Sequence, residues 1–128
     1  MGKVKSIIFK TLEFVRTSFK TIDETDLYDL RLIFSELLCN AVLHGNKNDM
    51  CKYVSLTIEL SEDAVTSTIS DEGTGFDYMT LLAEARSEQN LLKENGRGIL
   101  LVHSLTDSIT FNGCGNEIKF NKKVNRNG

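Results

Sequence analysis

The sequence predicts an α/β fold, an α+β two-layer sandwich in which helices cover one face of a mixed, mainly antiparallel sheet. Three observations carry that expectation. Apolar residues recur at helical spacing through the N-terminal third. Alternating apolar and polar segments occupy the middle and the C-terminal end, and each pair of them is split by only a few turn-forming residues. Strands joined by such short turns pair antiparallel, and a sheet with one apolar face needs helices to cover it. The chain has 128 residues, 41% hydrophobic and 26% charged, which suits one domain, 1–128, around a single core.

The elements follow in chain order. Residues 6–21 place Ile8, Leu12, Val15 and Phe19 on one helical face, although residues 4–9 also suit a short strand. "TIDETDLYDLRLIFSELLCNAVLHG" is a long helix that Thr25 or Asp26 can cap and Gly45 can stop. "KYVSLTIEL" and "AVTSTIS" form a hairpin across "SED". "DEGTGFDYM" is a glycine-punctuated turn, followed by a polar, weakly helical stretch to Asn95. "GRGILLVHSLTD" reads as a helix opening directly out of two glycines, and "SITFN" and "NEIKF" pair across "GCG".

Composition excludes several roles. The net charge is −3 without a large block of like charge, so nucleic acid is not a favoured direct partner. No apolar run approaches the roughly 18 residues a membrane helix needs, and "MGKVKSIIFK" lacks the apolar length and cleavage site of a signal peptide. Cys39, Cys51 and Cys114 are odd in number and have neither zinc-ligand nor redox spacing, so reduced thiols in a cytoplasm are the simplest expectation.

Chemistry concentrates in three stretches. In "SELLCNAVLHGN", Glu36, Asn40 and His44 stand at four-residue steps. Projected at about 100° per residue, Glu36 and Asn40 fall in a notch with apolar neighbours on both sides, while His44 lies at the helix end and suits a structural role. Such a pair either hydrogen-bonds the next strand or faces a cavity, where the carboxylate can take a proton and the amide oxygen can hold a hard cation. In "DEGTGF", Asp71 ends a strand, and Gly73 and Gly75 let the backbone pass close to a flat ligand. On its own that turn is a modest signal. In "NGRGILLV", Gly96 and Gly98 precede a helix whose free amides, beside Arg97, suit phosphate oxygens. It is neither a Walker loop nor a dinucleotide fingerprint.

Together, in this order and spacing, the three stretches resemble the Bergerat-fold ATPases, the group of gyrase, heat-shock chaperone, mismatch-repair and sensor histidine kinase ATPases. "ELLCNAVLHG" is similar to that group's N-box, "DEGTGF" to its adenine-binding box, "GRG" to its phosphate box and "GNEIKF" to its closing strand motif. The small chain most resembles the bacterial anti-sigma factor serine/threonine kinases. The resemblance implies an ATP- or ADP-binding enzyme that phosphorylates an anti-sigma-factor antagonist and sequesters a sigma factor. The alternative is a nucleotide-sensing binding module with negligible transfer. It further implies Glu36 as the base, Asn40 as the magnesium ligand, Asp71 as the acceptor of the adenine amino group, Gly73 and Gly75 at base and ribose, and Gly96, Arg97 and Gly98 at the phosphates. The chain departs from the pattern in the stretch after the adenine box, which lacks the family's threonine-threonine-lysine-proline run and offers Ser87 and Lys93 as candidate stand-ins that no motif assigns. It also departs at Asn116, where threonine is usual, and at the start, where little precedes the first helix, which leaves homodimerisation open.

Overall fold

The computed structural model describes residues 2–47, 49, 51–75 and 94–125. In order these form α1 (Gly2–Phe19), α2 (Glu24–Asn40), a π-helical turn (Ala41–Gly45), β1 (Val54–Leu60), β2 (Ala64–Asp71), α3 (Glu94–Leu105), β3 (Ser108–Phe111) and β4 (Glu117–Lys123). The stretch leading to α3, with Phe76, Ser87 and Lys93, lies outside the described residues.

The N-terminus is helical rather than a strand, because Val4 extends the buried series Ile8, Val15 and Phe19 by one further helical step. α1 stops where Lys20 turns left-handed, at φ 60°. The cap of α2 is Asp23, not Thr25 or Asp26. Asp23 is extended, and its carboxylate accepts the Thr25 N–H at 2.9 Å, so Thr25 and Asp26 already lie inside the helix. α2 is the centre of the core: its Leu27, Leu30, Ile33, Phe34, Leu37 and Leu38 are buried, and Ala41 of the π-helical turn continues the same apolar face. Phe34 meets Phe120 of β4 edge to face, with ring centroids 5.5 Å apart.

The sheet has the order β1-β2-β4-β3, and every described ladder is antiparallel. β2 and β3 run in the same direction, as a crossover through α3 requires, but β4 inserts between them. The parallel component of a mixed sheet is therefore absent among the described residues. Val65, Ile69, Ile118 and Phe120 join the core with Ile99 and Val102 of α3. Opposed across the ladders on the other face are Ser55 and Ser70, Thr57 and Thr68, and Thr68 and Lys119, a polar surface that water can cover. The helices thus lie on one side only.

The few polar groups inside are satisfied. Ser67 donates its hydroxyl to the Thr57 carbonyl at 2.6 Å. Lys122 donates to the Leu105 carbonyl at the end of α3 and lies 3.7 Å from Asp29 and 4.0 Å from Asp26 in the first turns of α2. A cation at one helix C-terminus and carboxylates at another helix N-terminus both suit the local dipoles. This end of the sandwich is fastened by charge, and the other end carries the candidate site.

Candidate functional site

The site is built outward from the end of α2. Its α-helical ladder gives way after Asn40 to a π-helical turn, closed by the Asn46 N–H on the Ala41 carbonyl at 2.8 Å. An ordinary helix to Gly45 is what the sequence suggests; the extra residue per turn widens the helix end and buries both Gly45 and Asn46. Glu36 and Asn40 stay half-buried on the preceding turn, and the Asn40 amide has no side-chain partner among the described residues. The side chain of His44 lies outside the described residues.

Asp71, the last residue of β2, brings its carboxylate against Gly45. A side chain at Gly45 would overlap that carboxylate, with Asp71 Oδ1 2.7 Å from a Cβ there. The same Oδ1 accepts the Gly73 N–H at 2.7 Å. Burial pushes the Asp71 carboxyl above its ordinary pKa, while the Gly73 N–H and the charge of Lys52 pull it down. Gly73 and Gly75 are required by the chain's own packing. The place of a Gly73 side chain is taken by the Gly45 carbonyl, and that of Gly75, at φ 99°, by the Cys114 carbonyl in the β3–β4 turn.

From the third side comes α3. It starts at Glu94, before the glycines, so Gly96 and Arg97 lie in its first turn and Gly98 just beyond. The side chain of Arg97 lies outside the described residues. Gly98 faces Glu36: a Cβ there would overlap Glu36 Oε2 and sit 2.9 Å from Cδ. The fold therefore brings Glu36 to Gly98 and Asp71 to Gly45 and Gly73, with Asn40 on the same helix between the two contacts.

Four residues that sequence reasoning did not assign to the site, Gly45, Asn46, Asn112 and Asn116, hold it together. Gly45 was expected only to end the helix. Buried Asn46 donates to the Tyr53 carbonyl at 3.0 Å and accepts the Glu72 N–H at 2.8 Å, while the Glu72 carboxylate accepts the Tyr53 N–H. Asn116 donates to the Gly73 carbonyl at 3.2 Å, and its own carbonyl accepts the Asp71 N–H at 2.9 Å. Asn112 orders that hairpin by accepting the N–H groups of Gly115 and Asn116. Amide side chains near a glycine turn are the only signal the sequence offers for these roles. The groove of about 590 Å³ between α1 and α2, rimmed by Phe9 and Tyr28, contains none of the predicted site residues.

Among the described residues no group of three or more His, Cys, Asp and Glu could hold a metal by itself, and no helix is long and apolar enough to cross a membrane. Residues 4–122 match the histidine kinase-like ATPase domain family. The serine-protein kinases RsbW of Staphylococcus aureus strains JH9 and Newman are each 34% identical to this chain over 91 residues, covering 66% of the chain and 57% of each relative. The matched part thus spans little more than half the length of these curated relatives.

Proposed function

Because the chain belongs to the histidine kinase-like ATPase domain family, we propose that it binds ATP and transfers the γ-phosphoryl group to a serine or threonine hydroxyl of an antagonist protein, and that it also sequesters a sigma factor. The observation that carries this reading is the meeting of three elements at the end of α2, where Glu36 lies against Gly98 of α3 and the Asp71 carboxylate against Gly45 and Gly73, with Asn40 between Glu36 and Gly45 along the chain. The printed name of the Staphylococcus relatives, a serine-protein kinase, supports the choice of acceptor.

In this reading the ionised Asp71 accepts a hydrogen bond from the adenine amino group, which a guanine carbonyl at that position cannot supply. Its second duty, holding the Gly73 N–H, fixes where the turn meets the base. Gly96, Arg97 and Gly98 border the phosphates at the start of α3, where a helix N-terminus favours anions. The donor set fits magnesium on ATP: Asn40 offers one neutral oxygen, and the phosphates supply the remaining charge. A magnesium ion held by Asn40 and the phosphates would supply neutralisation of the phosphate charge. Glu36 takes the proton from the acceptor hydroxyl, whose oxygen bonds to the γ-phosphorus. The bond to the β–γ bridging oxygen then breaks and its electrons leave with ADP.

The test combines calorimetry with phosphoprotein analysis. MgATP and MgADP are expected to bind, and MgGTP much more weakly. Equal affinity for ATP and GTP would reject base recognition by Asp71. Incubation with MgATP and a serine-bearing antagonist domain is expected to give phosphoserine or phosphothreonine. Nucleotide-dependent partner binding without phosphate transfer would instead make the chain a nucleotide-sensing binding module.

A further inference from the structure

We propose that Gly98 is a positioning residue for Glu36: its bare Cα on α3 is the seat that sets where the Glu36 carboxylate of α2 comes to rest. This rests on the reading of Glu36 as the base. The geometry is specific. The space a side chain would fill at Gly98 is occupied by Glu36 Oε2 and Cδ, with Oε1 3.5 Å away. No backbone atom is among these nearest neighbours, in contrast to Gly73 and Gly75, where carbonyls of another segment fill the space. A methyl group at Gly98 therefore meets the mobile end of one side chain and no rigid wall.

The consequence separates this glycine from the others. Alanine is a better helix former than glycine, and Gly98 lies inside α3, so the substitution favours the helix. The overlap is relieved by swinging the Glu36 carboxylate away. A base displaced by about 1 Å loses transfer by up to roughly 10²-fold, because proton abstraction depends on reach. Gly98 thus tunes chemistry while the fold stays intact. A shorter acid at position 36 reaches less far toward α3 and leaves room for the methyl group.

The seat is tested first by a crystal structure of Gly98→Ala. The expected result is a displaced Glu36 carboxyl with α3 in place; an unmoved carboxyl with a shifted α3 overturns the proposal. Its function is tested by ADP release from radiolabelled MgATP, with water as acceptor. Gly98→Ala is expected to lose about tenfold or more in turnover at saturating MgATP while its unfolding midpoint does not fall. Glu36→Asp should slow the wild type yet speed the Gly98→Ala variant. Unchanged turnover in Gly98→Ala, or no such reversal, overturns the positioning role. Turnover unchanged in Glu36→Gln would instead reject the base assignment, and the crystallographic comparison then decides the seat by itself.

Discussion

At Asp71 burial raises the carboxyl pKa, and the Gly73 N–H and Lys52 offset that only in part. The sign has a measurable consequence. A carboxyl whose folded pKa exceeds its unfolded value, about 3.9, binds its proton more tightly when folded, so its ionised form costs stability at neutral pH. That cost disappears as pH falls through the folded pKa. Compared with Asp71→Asn, which does not titrate, the ligand-free wild type should gain in relative thermal stability between about pH 7 and pH 4. Unfolding midpoints of both proteins across that range check it, and a difference independent of pH would count against a buried charge. The same substitution should weaken ATP binding by about 1.5–3 kcal/mol, because an amide presents a donor as readily as an acceptor to the adenine amino group. Glu36→Gln keeps shape and removes the proposed base. Transfer should fall by roughly 10²–10⁴ with nucleotide affinity nearly unchanged, and single-turnover kinetics beside calorimetry would separate the two. Asn40→Ala should erase most of the gain in ATP affinity that magnesium brings, measured by titration with and without the metal.

Among the elements, α2 carries two jobs on one cylinder. Its apolar face fills the core, and its last turns with the π-helical turn after it set Glu36 against Gly98 and Gly45 against Asp71. The helix is therefore placed by packing, and the site inherits that placement. Its start depends on Asp23, so Asp23→Ala should cost about 1 kcal/mol and lower the unfolding midpoint by a few degrees. Nucleotide affinity should stay unchanged, since the cap lies at the opposite end of the helix from Asn40. A large loss of affinity would mean that the whole helix shifts. The π-helical turn offers the converse case. Asn46 closes it and also ties Tyr53 to Glu72, so three segments meet at one amide.

For the whole molecule, one face of the sheet is polar and the other holds a core threaded by α2. Phe34 stands at its middle, against Phe120. Phe34→Ala should cost about 3–5 kcal/mol, a large share of the 5–15 kcal/mol that domains possess. Denaturant midpoints would show it. Partner exchange belongs to this scale as well. If nucleotide state selects between a sigma factor and an antagonist, a tenfold preference needs only about 1.4 kcal/mol of differential binding. Pull-downs with ATP, with ADP and without nucleotide should then retain the two partners in different proportions, and equal retention in all three would remove the switch.

What the sequence determined by itself is what repeats locally. The helical spacing marked α1 and α2, the turn residues marked the β1–β2 and β3–β4 hairpins, and the three polar stretches marked a helix end, a strand end and a helix start. Each of these is written in the spacing of neighbours along the chain. Tertiary structure decided the rest. It chose Asp23 as the cap, widened the end of α2, and put β4 between β2 and β3 so that no described ladder is parallel. It also set Gly45 beneath Asp71, Gly98 beneath Glu36 and Asn116 against Gly73. Those contacts join segments distant in sequence, and a glycine that makes room for a remote carboxylate leaves no periodic trace. Only close packing of α2, α3 and the turn after β2 shows which side chain fills the space each glycine leaves.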